Sequence, residues 1–377
     1  MAAQFWIYTD LAVFAIALLL TGIIIPQILL IAFRKKLFDE VDERKIHKGV
    51  VPRLGGIAFL PALIFAICFV LAVEISFGLI DVYEIFVGIG RSLLYLMCAE
   101  MLIFLVGIAD DLIGVRYKAK FIAQIICAVF ICAAGAYIHN LGGMFWIWEI
   151  PDWFGWCISG FIVVYLVNAI NLIDGIDGLA SGLSGIALIF YGIVLTISQH
   201  WLLAMLAWAQ FGTLVPFFYY NVFGNPKKRK KIFMGDTGAL TVGMLISFIA
   251  LSITNIDSTE IARDYNKLVL AFSPLVIPAF DVIRVYFHRI RHHRNPFLPD
   301  KCHIHHKLLA LGFNQRTSLC LILLSAVVFM LVNILLSPYV SATLLFVADL
   351  LLWVGINYVM TVAIRKKELK QHTSLYD

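Results

Sequence analysis

Charge is what this 377-residue sequence has least of. Asp, Glu, Lys and Arg make up 14% of it, where a soluble globular domain carries about 25%. Hydrophobic residues reach 62% and mean hydropathy is +0.92. No soluble core absorbs that excess over a chain this long, which excludes a soluble enzyme, a disordered chain and a secreted disulfide scaffold. Paired cysteine motifs are missing as well. Cys68, Cys98, Cys127, Cys132, Cys157 and Cys320 lie in apolar runs, no Cys-x-x-Cys occurs, and they read as small buried hydrophobes. No internal repeat, low-complexity tract or interdomain linker is visible. No basic residue precedes the first apolar run and no small-residue cleavage site follows it, so it reads as a retained helix. The expectation is one integral-membrane domain, 1–377.

What is present is a series of long apolar runs. A bilayer core of about 30 Å needs about 20 such residues per helix. Eleven runs qualify, near 6–33, 55–75, 88–109, 119–138, 156–170, 179–198, 201–220, 238–254, 267–287, 317–337 and 340–363. The fifth is the weakest, being short and cut by the polar run that starts at Asn168. The predicted fold is all-α: a polytopic bundle of about 10–11 transmembrane helices with cytoplasmic catalytic loops. Alternate loops (34–54, 110–120, 221–236, 284–316 and the tail from 365) hold 26 of the 29 Lys and Arg residues. The opposite loops keep only Arg91, Arg263 and Lys267. Positive charge marks the cytoplasmic side, which predicts an outside N-terminus and an inside C-terminus.

The acidic motifs fall on the same face. Asp110 and Asp111 close the third run, Asn168-Ala-Ile-Asn171-Leu-Ile-Asp174-Gly-Ile-Asp177-Gly-Leu joins the fifth to the sixth, and Met-Gly-Asp236-Thr-Gly opens the eighth. A single Asp at a span end is more often a helix cap. Three acidic clusters on one face, with none comparable opposite, argue against that reading for the set. Five carboxylates at a membrane face need a cation to coexist, and hard oxygen ligands suit Mg²⁺ or Mn²⁺.

Basic partners come from two loops. Residues 34–56 form a mixed-charge segment, compatible with a short interfacial helix and ending in Gly55-Gly56. Arg34, Lys35 and Lys36 need only the positive-inside rule. The 284–316 loop is stranger: six of the ten histidines lie between 288 and 306, among Arg284, Arg289, Arg291, Arg294 and Lys307. Zinc at Cys-His-x-His-His is one reading, but the surrounding cations favour phosphate. A phosphate-binding loop beside a carboxylate-held cation suggests phosphoryl transfer. No Walker A loop or kinase signature occurs.

These blocks together resemble the polyprenyl-phosphate N-acetylhexosamine-1-phosphate transferases, glycosyltransferase family 4. The resemblance spans nearly the whole chain: Arg-Lys-Ile-His-Lys-Gly…Pro-Arg-Leu-Gly-Gly (44–56), Asp-Asp (110–111) followed by Lys118 or Lys120, Asn-x-x-Asn-x-x-Asp-Gly-x-Asp-Gly-Leu (168–179), Gly-Asp-x-Gly (235–238) and His-Ile-His-His (303–306). The last loop looks like the WecA/TagO branch rather than the related MraY branch. Ala239 stands where the family often has Ser. The resemblance implies transfer of GlcNAc-1-phosphate from UDP-GlcNAc to undecaprenyl phosphate, with release of UMP. The product would start a cell-surface polysaccharide such as O-antigen or teichoic acid. It places Asp236 on Mg²⁺ with Asn171 as second ligand, and Asp110, Asp111, Asp174, Asp177 and His303 in catalysis. Lys48, Arg53, Lys118, Lys120, Asn168, Asn171, Arg294, His305 and His306 become substrate contacts. It implies the bacterial inner membrane, an active site facing the cytoplasm and no nucleic-acid partner; the oligomeric state stays open, a homodimer included. The alternatives are transfer of phospho-MurNAc-pentapeptide and, in another class, transport of an anionic metabolite. Transporters place ionisable groups near the bilayer midplane, whereas here only Glu100 and Asp349 stand out within spans.

Overall fold

The computed structural model describes residues 2–37, 51–256, 265–291 and 303–371. Within them the chain is helical, with α1 (Ala2–Lys35), α2 (Phe59–Ser76), α3 (Val82–Ile113), α4 (Tyr117–Ala133), α5 (Asp152–Ile173), α6 (Leu179–Ile197) and α7 (Trp201–Phe218). Then come α8 (Gly235–Ile253), α9 (Lys267–Phe272), α10 (Val276–Arg291), α11 (Ile304–Leu311), α12 (Gln315–Leu336) and α13 (Ala342–Gln371). Each of the eleven apolar runs is helical, and ten of the resulting segments are long and apolar enough to cross a membrane. The remaining one, α4, has 17 residues. Apolar side chains cover the outside of this bundle, and lipid replaces water as their solvent.

Three differences from the sequence expectation have local causes. The fifth run does not stop at Asn168; α5 continues to Ile173 because its polar residues point into the bundle, where Asn168 donates to Gln124 at 2.6 Å. The ninth run breaks at Ser273–Leu275, where Pro274 cannot supply a helical N–H, so α9 and α10 are two pieces of one span. Carboxylates inside spans include Asp10 and Glu74 besides Glu100 and Asp349, and all four are buried. The Thr196 hydroxyl donates to Asp10 at 2.7 Å, Thr9 donates to Glu74, and Asn333 donates to Asp349 at 2.6 Å. The 38–50 segment, read as an interfacial helix, lies outside the described residues.

Helix α8 is the axis on which the site is hung. It is buried almost throughout, packed by α3, α5 and α6. Small residues let backbones approach it: a Cβ on Gly243 would sit 2.9 Å from Cα of Val167 in α5, and one on Gly107 would sit 2.5 Å from Cα of Thr237. Deeper hydroxyls bond within the helix, Thr241 to the Thr237 carbonyl at 2.8 Å and Ser247 to that of Gly243 at 2.7 Å. At the end away from the acidic motifs, Asn255 donates to the Tyr137 carbonyl at 2.8 Å and Asn266 to that of Gly142 at 2.9 Å. These amides tie the loop between α4 and α5 to α8 and α9.

A candidate active site at one end of the bundle

The site forms where the ends of α3 and α5 meet the starts of α4 and α8. Asp110 stands in the last turn of α3, and its carboxylate accepts from the Val115 amide at 2.7 Å, holding the sharp turn into α4. Lys120, on the first turn of α4, reaches back between two carboxylates: its ammonium is 3.0 Å from Asp110 and 2.6 Å from Asp236. Asn171 in α5 completes the group by donating to the other Asp236 oxygen at 3.0 Å. The three charged side chains keep 15–27% of their surface open, so a ligand can reach them.

Asp111 does different work from its neighbour. It accepts from the amides of Asp236 at 2.7 Å and Thr237 at 2.9 Å and from the Thr237 hydroxyl at 2.6 Å. The carboxylate thereby satisfies orphan N–H groups at the start of α8 and opposes the positive end of its dipole. The glycines of the Met-Gly-Asp-x-Gly motif follow from this packing. Gly235 has φ +74°, and a Cβ there would lie 2.6 Å from the Asp111 carboxylate. A Cβ on Gly56 would lie 2.0 Å from the Gly238 nitrogen. That close approach lets the 52–56 segment hydrogen-bond along the entry to α8, Gly55 N–H to the Phe233 carbonyl at 2.9 Å and Gly56 N–H to that of Met234 at 2.8 Å.

The Asp174–Asp177 turn caps α5 at the same end. Asp177 pairs with Lys231 at 2.5 Å, and the Gly178 amide donates to Asn221 at 2.6 Å. A cleft of about 370 Å³ opens beside this pair, with Asn225, Gln315 and Arg316 on its walls. Asp174, three residues before Asp177 on this turn, is exposed at its tip but has protein packed around it. Loss of bulk water, with Asp177 and Asp236 nearby and Arg53 opposing, pushes its carboxyl up to about 7.

The histidine block leans on this turn. His303, His305 and His306 cluster, with ring centroids 4.1–6.2 Å apart. His305 is buried against Gly175, where a Cβ would lie 2.1 Å from its Nε2. Burial, then His306 and His303, hold the His305 ring far below the usual histidine range, so it is neutral. His303 sits 2.8 Å through Nδ1 from Asp281 of α10, a carboxylate that also accepts from the Ile304 amide at 3.0 Å and Arg284 at 2.9 Å.

The structure therefore gathers Asp110, Asp111, Lys120, Asn171, Asp174, Asp177, Asp236 and His303 at one end of the bundle. Asn168 stands one turn deeper, bonded to Gln124. Arg53 is exposed and close enough to Asp174 to act on its charge. Lys118 points away into solvent on the exposed side of α4. His305 fills the space between α11 and the turn, and His306 lies tilted against it. Lys48 and Arg294 lie outside the described residues. Sequence reasoning missed Lys231, Asn221 and Asp281. A signal existed for the last: an Asp inside an apolar run with Arg284 at i+3 is a buried-pair signature.

Among the described residues no three His, Cys, Asp or Glu side chains are arranged to hold a metal, His303, His305 and His306 included; Cys302 of the zinc reading lies outside those residues. The donor chemistry at Asp236 and Asp110 does fit a hard cation. Two carboxylates converge with the Asn171 amide, and the Lys120 ammonium already stands where positive charge is demanded.

Comparison with known proteins adds an independent line. The glycosyl transferase family 4 profile matches residues 93–254, from α3 to the turn after α8. The chain is 32% identical over 307 residues to an undecaprenyl-phosphate alpha-N-acetylglucosaminyl 1-phosphate transferase of Yersinia pestis, covering 81% of this chain and 78% of that protein. An Escherichia coli K12 protein of the same name matches equally. A probable undecaprenyl-phosphate N-acetylglucosaminyl 1-phosphate transferase of Bacillus subtilis is 30% identical over 96% of this chain and 95% of its own length.

Proposed function

Because the chain belongs to glycosyl transferase family 4, we propose that it transfers GlcNAc-1-phosphate from UDP-GlcNAc to undecaprenyl phosphate. A phosphate oxygen of the lipid attacks the sugar-bearing phosphorus, the bond to UMP breaks, UMP leaves, and a lipid-linked pyrophosphoryl sugar remains. The observation that carries this reading is the Asp110–Lys120–Asp236–Asn171 group, partly open at the end of apolar helices. A water-soluble nucleotide and a lipid headgroup can meet at that level. The names of the relatives favour this donor over phospho-MurNAc-pentapeptide.

Two anionic substrates repel each other, so the site must first neutralise charge. Asp236, with Asn171 and Asp110, would hold Mg²⁺ or Mn²⁺. When bound, that ion supplies positive charge to the pyrophosphate. Lys120, on a flexible stem, is placed to exchange its carboxylate partners for a phosphate. Asp110 orients the lipid phosphate and accepts its proton. Asp111 keeps the entry of α8 in register. Asp174 and Asp177 line the nucleotide side, and His303 faces the departing phosphate with Arg53 near Asp174. The site opens to the cytoplasm of a bacterial inner membrane, since 26 of 29 basic residues share its loops.

Purified protein with undecaprenyl phosphate, Mg²⁺ and a panel of UDP-sugars provides the test. Release of UMP with UDP-GlcNAc is the expected outcome. Turnover of UDP-MurNAc-pentapeptide with none of UDP-GlcNAc overturns the donor assignment. Single cysteines introduced in loop 284–316 should resist an impermeant thiol reagent in intact cells, and their labelling from outside reverses the orientation.

A further inference from the structure

We propose that Asp281 is a positioning residue for this reaction, locking the ring of His303 so that Nε2 is the nitrogen left to meet the substrate. The inference rests on the transfer reading above. Asp281 is fully buried in α10, in the middle of an apolar stretch, a costly place for a carboxylate without a purpose. Its two oxygens are divided between tasks. Oδ1 accepts from the Ile304 amide and from Arg284, while Oδ2 meets His303. A carboxylate meeting three donors is acceptor-only, so His303 must donate through Nδ1. Nε2 is then the nitrogen left for another group.

A plain helix cap would need only the first of those bonds. His303 itself occupies the N-cap position of α11, with extended backbone (φ −63°, ψ 160°) and no cap bond from its own side chain. By holding Ile304 N–H and the ring together, Asp281 fixes both the backbone and the χ angles of His303. The opposite face of the ring is closed by His305, stacked at 5.7 Å and 5°, and His305 in turn abuts Gly175 of the Asp174–Asp177 turn. The histidine is thus clamped between α10 and the catalytic turn. This is the acid–histidine logic of triads, in which a buried carboxylate sets tautomer and orientation while the far nitrogen meets the substrate. Among the described residues Arg284, Tyr165 and His305 act on the charge of Asp281, and His305 and His306 face His303.

Asp281→Asn keeps the volume and the acceptor for Ile304 but cannot accept from Nδ1–H if its amide nitrogen takes that position. We expect kcat to fall about 100-fold or more with KM for UDP-GlcNAc nearly unchanged, and His303→Ala to fall by a similar factor. The double variant should be no slower than the worse single, because the pair acts as a unit. In Asp281→Asn the pH profile of kcat should lose or shift the limb that His303→Ala abolishes. If Asp281 only caps α11, the variant melts lower, its folded fraction turns over at the wild-type rate, and the pH profile stays in place. A readout independent of activity is the ¹⁵N spectrum of histidine-labelled protein above the usual histidine range, with His303 identified by subtraction of His303→Ala. The Nδ1–H tautomer in wild type, lost in Asp281→Asn, supports the inference; an Nε2–H tautomer in wild type overturns it. If wild type ignores UDP-GlcNAc altogether, the proposed function falls and the spectrum still decides the role of Asp281.

Discussion

Asp236 and Asp281 are helix-borne carboxylates near the same end of the bundle, and they are satisfied in opposite ways. Asp236 meets an ammonium on a four-carbon stem from one helix and an amide from another, with a quarter of its side-chain surface open. Asp281 is sealed and holds a guanidinium three residues away and a histidine ring, with a backbone amide as third donor. A long, rotatable partner is easily exchanged, whereas planar and backbone donors are pre-organised. The first centre is built to change partners during a reaction cycle, and the second to keep them.

The sharpest way to break that contrast is to neutralise the open centre. Asp236→Asn should lower turnover by roughly three orders of magnitude, the scale of losing a key electrostatic group, while the protein still inserts and folds. A near-normal rate with unchanged divalent-ion dependence would remove Asp236 from the cation site.

Lys120→Met comes next. It leaves Asp110 and Asp236 facing each other without a cation, so a divalent ion should bind tighter even as turnover drops, by about 10- to 100-fold. Turnover and ion affinity falling together would show that Lys120 does not compete for the cation position.

The overall bundle and the open centre were legible before the structure, and the sealed centre was not. Apolar runs are long and the bilayer leaves the backbone no alternative to helix, so all eleven runs became helices even where Asn168 seemed to cut one. Asp110, Asp174 and Asp236 stand at span ends, where a carboxylate is conspicuous. Asp281 stands inside a run, and its partner His303 is 22 residues away in the sequence, a separation that periodicity does not register. The same blindness hid Lys231, one basic residue in a run of five, until folding placed it on Asp177. It also left Lys118 and Lys120 undistinguished, although they are two residues apart on a helix and cannot share a face.

Gly175 is where the two regions touch, and it allows them to be pushed apart. Gly175→Ala sets a Cβ 2.1 Å from His305 Nε2, and overpacking of that kind typically costs about 1–3 kcal/mol. Thermal unfolding should show the loss, and adding His305→Ala should recover part of it by emptying the contested space. No recovery in the double variant would mean that the strain lies in the turn itself rather than between the centres.

The smallest expected effect concerns pH, and it separates the open cleft from the sealed core. Asp174, with its carboxyl raised to about 7 from 3.8, binds a proton in the folded state at pH values where the unfolded chain has released it. Stability from this group is therefore full below about pH 4 and declines as pH rises towards 7. Water at the exposed side chain screens the charge, so the decline is small. In the absence of divalent ions, the melting temperature of wild type should fall slightly more between pH 5 and pH 8 than that of Asp174→Asn. A saturating divalent cation should shrink the difference, because positive charge nearby favours the ionised carboxylate. His305 provides the contrast within the same measurement: folding holds its ring neutral while the unfolded chain takes up a proton below about pH 6.5, so its contribution has the opposite sign and replacing it should steepen the fall in stability between pH 5 and pH 8. Parallel melting curves for wild type and Asp174→Asn would place the carboxyl back in the ordinary range and remove Asp174 from the charge balance of the site.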